Sequence, residues 1–481
     1  MDQAARTGQE TPTEQIENVV LGGGEAGKYV AWTLAQQGRP VLVVERGLIG
    51  GSCPNIACLP SKNVIRTAQV AHLARNAADY GISTGTVSVD MAGVRQRKRE
   101  MVQGMVDIHE RRFAAPNIEF LLADGRLVGP RMVEARLPGG ATRRVQAARL
   151  FLNLGTHASV LDIPGMAEAA PLTHVEALEL GELPEHLIVL GGGYVGTELA
   201  QAFRRLGNRV TILEYGQQLL GREDPDVAEA VLELLEAEGT EVVLDAETRA
   251  VAGRSGESVR LDVQTAEGAR TVEGTHLLVA AGRTPNTEGI GLSAAGIELD
   301  ERGYVKVDEQ LRTTAPGVWA LGECAGSPQF THAAFDDFRI VRHNVLNDGE
   351  DNEPRSTEGR LMPYCAFIDP QLARVGLDER TAAQQGVAVR VARTPMSTVL
   401  RARAIGETRG FMKMLIAEDS DAILGFTMLG ADAGEVVAVV QVAMLGGLPY
   451  TALRDAILTH PTMAEGLTVL LADVPARAGT L

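Results

Sequence analysis

The sequence predicts an α/β protein, with two doubly wound dinucleotide-binding folds and a smaller C-terminal α+β domain. Three observations lead there. A glycine-rich turn following an apolar strand occurs twice, a closely spaced cysteine pair follows the first turn, and from residue 361 strand–helix alternation gives way to alternating strands, FMKMLIAE and AILGFTMLG, with an apolar helical stretch near 436–445.

The first turn lies in IENVVLGGGEAG (16–27), where an apolar strand runs into Gly22-x-Gly24-x-x-Gly27. The second lies in HLIVLGGGYVG (186–196), with Gly191, Gly193 and Gly196 at the same spacing. Each is followed by a helical stretch and a second apolar strand, ending in Glu45 and in Glu214, 23 residues after the first glycine in both copies. The first glycine permits a tight turn, the second lets the backbone approach a pyrophosphate, and the third lets helix and strand pack closely. A single loop of this kind also describes a turn that only packs; two copies with the acid in register point to two dinucleotide sites. Glu214 would repel a 2′-phosphate, and Tyr215-Gly216 follow it instead of a basic residue, which predicts NADH in preference to NADPH.

The cysteines lie in GGSCPNIACLPSK (50–62). Positions five apart on a regular helix point about 140° away from each other, so joining Cys53 to Cys58 needs an irregular first turn. Pro54 and the Gly50-Gly51 pair supply it. A helix starting near Cys58 would favour a thiolate at its N-terminus. The same spacing suits two unrelated buried cysteines or half of a metal site, although metal sites more often pair a CxxC with further cysteines or histidines.

Further landmarks follow in order. Residues 61–79 and 91–113 have helical composition, and strand-like pieces span 118–152. NLGT (153–156) and AAGRTPN (280–286) follow apolar strands, where a chain crossing between domains would turn. The RQRKRE run (95–100) reads as a solvated helix face, the polar 348–359 segment as a linker, and Tyr364-Cys365 as core. The polar first 15 residues read as a disordered lead-in without a signal peptide, and no run approaches a membrane span. The 481 residues suit about three domains, and a formal charge of −17 disfavours nucleic acid as a partner. Only four cysteines occur, which fits a reducing, cytoplasmic setting where any disulfide is catalytic or sensory.

With the cysteine pair joined to two dinucleotide folds, the chain resembles the flavin-dependent pyridine-nucleotide disulfide oxidoreductases, the group of dihydrolipoamide dehydrogenase, glutathione reductase and mercuric reductase. The resemblance rests on GGGEAG, GGSCPNIACLPSK, GGGYVGTE, AAGRTPN, LGECAGSPQFTHAAFDD, LRARAIGETRGF and THPTMAE, in family order. It implies an FAD-binding domain at 16–157 and 281–350, an NAD(P)H-binding domain at 158–280 and a dimerisation domain at 361–475, working as a homodimer. Cys58 is similar to the thiol against the flavin ring and Cys53 to the one that meets substrate. Lys62 corresponds to the lysine near flavin N5, Glu198 to its ion-pair partner, and His460 with Glu465 to an acid–base dyad serving the disulfide of the other subunit. Gly51, Ser52, Gly155, Gly282 and Gly322 fall on further cofactor-binding positions. The family usually has Gly-Asp where this chain has Gly322-Glu323, so the flavin ribityl contact implied for Glu323 is altered, and Cys324 beside it reads as a small packed residue. His460 stands where mercuric reductase carries a tyrosine, and the tail lacks that enzyme's cysteine pair. QFTHAAFDDFRIV, LRARAIGETRG and LPYTALRDAILTHPTMAE resemble the branch that includes the reactive-chlorine-resistance copper(II) reductase. The function implied is electron transfer from NADH through FAD and Cys53–Cys58 to a small disulfide or a thiol-binding metal ion, with no resident metal. Alternatives are a dihydrolipoyl dehydrogenase, a mercuric or copper(II) reductase proper, and a slow redox-sensing flavoprotein.

Overall fold

The structure, a computed structural model, describes residues 12–346 and 353–477. Most of the predicted lead-in (1–11) and part of the predicted linker (348–352), with Asn347 before it, lie outside the described residues. Thr13, Glu14 and Gln15, expected in the lead-in, instead open the strand Thr13–Leu21, where they pair with Arg144, Val145 and Gln146. The chain divides into two compact units.

The first unit comprises residues 1–60, 97–157 and 283–359. Its sheet runs in the order Ile118–Leu122, Val41–Glu45, Thr13–Leu21, Thr142–Leu152, Met132–Arg136, Asp124–Gly129, and Val318–Ala320 also pairs with Thr142–Leu152. The first four strands pair parallel, and Val41–Glu45 is buried at every position. A continuous apolar run is what a parallel strand covered on both faces requires. Val19, Leu42, Leu150 and Leu152 fill the core on one side, and Val20, Val43 and Phe151 pack with Val30, Leu34 and Phe338 on the other.

The second unit comprises 61–96, 158–282 and 360–481, so the predicted nucleotide and C-terminal segments share it. Four parallel strands run in the order Glu241–Val243, Arg209–Leu213, His186–Leu190, His276–Val279. The antiparallel meander Glu247–Arg254, Ser258–Thr265, Gly268–Gly274 adds a second small sheet. Residues 364–430 build five antiparallel strands in the order Tyr364–Ala366, Gln371–Gly376, Ile423–Gly430, Phe411–Ala417, Val389–Pro395. The Ala433–Leu445 and Gly466–Ala472 helices pack on this sheet. Phe411–Ala417 is buried at all seven positions, so it does not alternate between core and solvent.

The helix Met91–Phe113 forms where its composition places it. Met91, Val94, Lys98, His109 and Phe113 are its buried positions, spaced to share one face. Lys98 is therefore a correction to the solvated-face reading of RQRKRE: it is one of the largest fully buried side chains, while Gln96, Arg97, Arg99 and Glu100 are exposed as expected. Among the described residues, no helix is long and apolar enough to cross a membrane.

Candidate active site

The first glycine loop joins the strand Thr13–Leu21 to the helix Glu25–Gln36. Gly22 has φ 97°, open to glycine at little cost, and a methyl at Gly27 would collide with the Gly22 carbonyl oxygen. Asn153, buried at the end of a neighbouring strand, accepts from Gly27 N at 3.0 Å and donates to Leu321 O at 2.9 Å. Gly24 caps the helix without a side-chain hydrogen bond, leaving backbone N–H groups at its positive end. The carboxylate of Glu45 accepts from Gly23 N at 2.8 Å, Gly47 N at 2.9 Å and Leu48 N at 3.1 Å.

The second loop repeats this chemistry in the other unit. Gly191 has φ 108°, a methyl at Gly196 would strike the Gly191 carbonyl oxygen, and Gly193 caps Tyr194–Leu206 without a side-chain partner. A methyl at Gly193 would meet nothing within 4 Å. Glu214 accepts from Gly192 N at 2.5 Å and Gly216 N at 2.7 Å. Two uncapped helix N-termini beside glycine turns have the donor set that a dinucleotide diphosphate needs, so the residues present fit FAD at the first loop and a nicotinamide dinucleotide at the second.

The cysteine segment sits at the end of the first unit's opening stretch. Gly50 and Gly51 have φ 83° and 82°, and a methyl on Gly51 would lie 2.5 Å from Gly24 Cα, so the segment passes directly against the first glycine loop. Ser52–Asn55 makes one separate helical turn, and a new helix starts at Cys58. That break sets two free thiols, which a regular helix would point apart, close enough for Cys58 to act on Cys53. The bond to Cys58, and then burial, push the Cys53 thiol above its ordinary range, so Cys53 keeps its proton. Cys58 Sγ lies 3.1 Å from Thr331 Oγ1 at the start of the helix Thr331–Val341. Thr331 is missed by sequence reasoning because it lies 273 residues from Cys58; the signal was its place inside QFTHAAFDD. His109 packs its ring on Gly50, with Nδ1 2.7 Å from Met105 O and Nε2 3.2 Å from Lys28 Nζ.

Gly322, φ 73°, donates to the buried Asp337 at 2.7 Å. Glu323, in place of aspartate, is hydrogen-bonded by Thr156 Oγ1 and ion-paired with Arg283 Nε at 3.2 Å. Its carboxylate is thus already engaged by protein groups, which sequence reasoning did not foresee. Gly155 has φ 66° and accepts from Asn286 N at 3.1 Å, while Gly282 has φ 115° and accepts from Ser159 N at 3.0 Å.

In the second unit, Lys62 Nζ pairs with Glu198 Oε2 at 2.8 Å. His460 Nδ1 is 2.9 Å from both oxygens of Glu465. Glu465 engages the ring through Nδ1, which leaves Nε2 as the nitrogen open to another partner. The remaining cysteines are quieter. Burial pushes the Cys324 thiol up to about 11 and that of Cys365 up to about 12.

The chain matches the pyridine nucleotide-disulphide oxidoreductase family over residues 17–337 and that family's dimerisation domain over residues 362–470. It is 34% identical over 465 residues to the probable pyridine nucleotide-disulfide oxidoreductase RclA of Escherichia coli (strain K12), covering 96% of this chain and 99% of that one. A mercuric reductase of Streptomyces lividans is 33% identical, with 93% and 94% covered, and a dihydrolipoyl dehydrogenase of Chlorobaculum tepidum 33%, with 95% and 96% covered. The solved Cu(II) complex of the HOCl-induced flavoprotein disulfide reductase RclA from Escherichia coli superposes with a TM-score of 0.86 at 33% identity, covering 96% of this chain and 99% of that one. The protein belongs to the pyridine nucleotide-disulphide oxidoreductase family and is an NAD(P)H-dependent flavoprotein oxidoreductase.

Proposed function

We propose that the protein uses NADH to reduce a small disulfide or a thiol-binding metal ion through a Cys53–Cys58 pair that cycles between dithiol and disulfide. The observation that carries this reading is the helix break between Ser52–Asn55 and Cys58–Arg75, which leaves Cys53 and Cys58 as free thiols near enough to influence one another. Bound FAD supplies a two-electron relay between a nicotinamide and a disulfide. The chain's own part is binding, orientation and proton handling. The two uncapped helix ends hold the dinucleotide diphosphates, with Glu214 facing an unphosphorylated ribose. Lys62, paired with Glu198, sets a positive charge beside the flavin. Cys53, the thiol that keeps its proton, attacks the substrate disulfide once that proton passes to Nε2 of His460 of the partner subunit, and the same imidazolium then protonates the first departing thiolate. Cys58 then attacks the mixed disulfide at Cys53, re-forming Cys53–Cys58 and releasing the second thiolate, which takes up the remaining proton. In sum, NADH, one proton and a disulfide give NAD⁺ and two thiols.

A homodimer is supported by the family's dimerisation domain and by exposed Val442, Leu445, Leu448 and Ile457 within it. A small disulfide is favoured as substrate by the His460–Glu465 contact, since metal-ion reduction breaks no sulfur–sulfur bond of a substrate and releases no thiol to protonate. The second reading, reduction of Cu(II), is favoured by the relative solved as a Cu(II) complex. An anaerobic NADH titration followed by turnover of lipoamide, glutathione disulfide, Cu(II) and Hg(II) separates the two. For Cys53→Ser we expect flavin reduction by NADH to persist while disulfide turnover falls at least about 100-fold; undiminished turnover sinks the assignment.

A further inference from the structure

The Lys62–Glu198 pair has a third member. Phe367 donates its backbone N–H to Glu198 Oε1 at 2.7 Å, and the centre of its ring lies 4.8 Å from Lys62 Nζ. The buried carboxylate is therefore shared, one oxygen taken by the ammonium and the other by the Phe367 backbone.

We propose that Phe367 is a positioning residue for Lys62, its ring and its backbone together fixing where the ammonium points. This rests on the reading above that Lys62 stands beside the flavin. A carboxylate alone sets the distance to an ammonium but leaves the flexible four-carbon stem free to swing around it. An aromatic face within about 6 Å adds a second attraction from another direction. Phe367 can serve as that anchor because it is itself held. Along the helix Tyr194–Leu206, residues 194, 198 and 201 share one face, and each reaches the segment around Phe367. Tyr194 and Tyr364 both donate to Glu223 Oε1 at 2.5 Å. Glu198 accepts from Phe367, and Gln201 exchanges hydrogen bonds with the Asp369 backbone at 2.7 and 2.8 Å. Three ties over six residues leave the ring little room to move.

A cation held beside a flavin favours its reduced, anionic form, so a loosened Lys62 makes the midpoint potential more negative. Phe367→Leu keeps the backbone donor and the apolar bulk and removes only the aromatic face; Phe367→Tyr restores that face, and Lys62→Met is the reference. Each holoenzyme is measured twice, by equilibrium titration of its flavin midpoint potential and by rapid mixing with NADH under anaerobic conditions. Phe367→Leu is expected to move the potential in the same direction as Lys62→Met, by less, and to slow flavin reduction about 3- to 10-fold, with Phe367→Tyr returning both to the wild-type values. Wild-type behaviour of Phe367→Leu, or equal impairment of the leucine and tyrosine variants, overturns the inference. If the leucine variant does not hold FAD, Phe367→Met takes its place under the same criteria. Lys62→Met matching the wild type in both measurements overturns the functional reading as well, whereas an altered Lys62→Met beside an unaltered Phe367→Leu overturns the role of Phe367 alone.

Discussion

Lys413 sits in the middle of the strand Phe411–Ala417 with its side chain fully buried, and its ammonium lies 2.8 Å from Asp224, 2.8 Å from Asp226 and 2.7 Å from Glu379. Three carboxylates close enough to share one cation here share a lysine. Removing it strands Asp224, itself almost fully buried, beside two like charges. Lys413→Met is expected to lower unfolding stability by about 3 kcal/mol, read as a lower urea midpoint at unchanged slope; a midpoint equal to the wild type would show that the carboxylates do not need their counter-ion. In the sequence Lys413 is a lone charge between Met412 and Met414, which reads as the solvent face of an alternating strand. Its partner Asp224 lies 189 residues away, and no local pattern announces it. Thr331 and Phe367 escape sequence reasoning for the same reason. The pairs Cys53–Cys58 and His460–Glu465 are legible because both members fall within one short motif and meet through local geometry alone.

At the scale of elements, the glycine loops are the most legible parts, since each glycine answers a steric demand of its immediate neighbours. The two loops still differ in one respect. A methyl at Gly24 would lie 2.8 Å from Asn153 Oδ1, whereas one at Gly193 would meet nothing within 4 Å. Gly193→Ala is thus sterically tolerated by the protein itself and projects a methyl where the backbone should approach a diphosphate. The KM for NADH is expected to rise about 10-fold, a cost of about 1.4 kcal/mol, with FAD content and thermal stability retained; an unchanged KM would separate this loop from the nicotinamide nucleotide. The meander Glu247–Gly274 is less legible. Val259, Leu261 and Val263 alternate inward along Ser258–Thr265, but a short alternating run inside a stretch assigned to the nucleotide domain does not say which sheet it joins. The first strand begins earlier than its apolar run because Thr13, Glu14 and Gln15 are added by pairing with Thr142–Leu152, and backbone pairing has no side-chain signature.

For the whole molecule, four histidines have a common response to acid. Burial holds His72, His109, His186 and His276 below the ordinary histidine value, with Lys28 adding to the effect at His109 and Arg205 at His72. Their folded-state values lie below the unfolded ones, so the unfolded chain takes up more protons as pH falls. Their stabilising contribution is complete above about pH 6.5 and is lost as pH drops toward the folded values. Chemical denaturation at pH 8 and at pH 5.5 should therefore give a clearly lower stability at the acid end, and His109→Gln should narrow the difference while the other three histidines maintain the rest. Equal stability at the two pH values would contradict the buried, neutral state of these rings. The division of the chain into two units was not legible, because the nucleotide and C-terminal segments join one unit through contacts such as Asp224 with Glu379 N and Gln201 with Asp369, across more than 150 residues.

Glu45 and Glu214 each bind the backbone N–H of the middle residue of their own glycine loop, Gly23 and Gly192. Each loop is thereby latched by a carboxylate of the protein itself. If these loops hold dinucleotides as proposed, the conformational entropy that a glycine-rich segment would lose on capturing a ligand is surrendered during folding instead, and more of the contact energy appears as affinity.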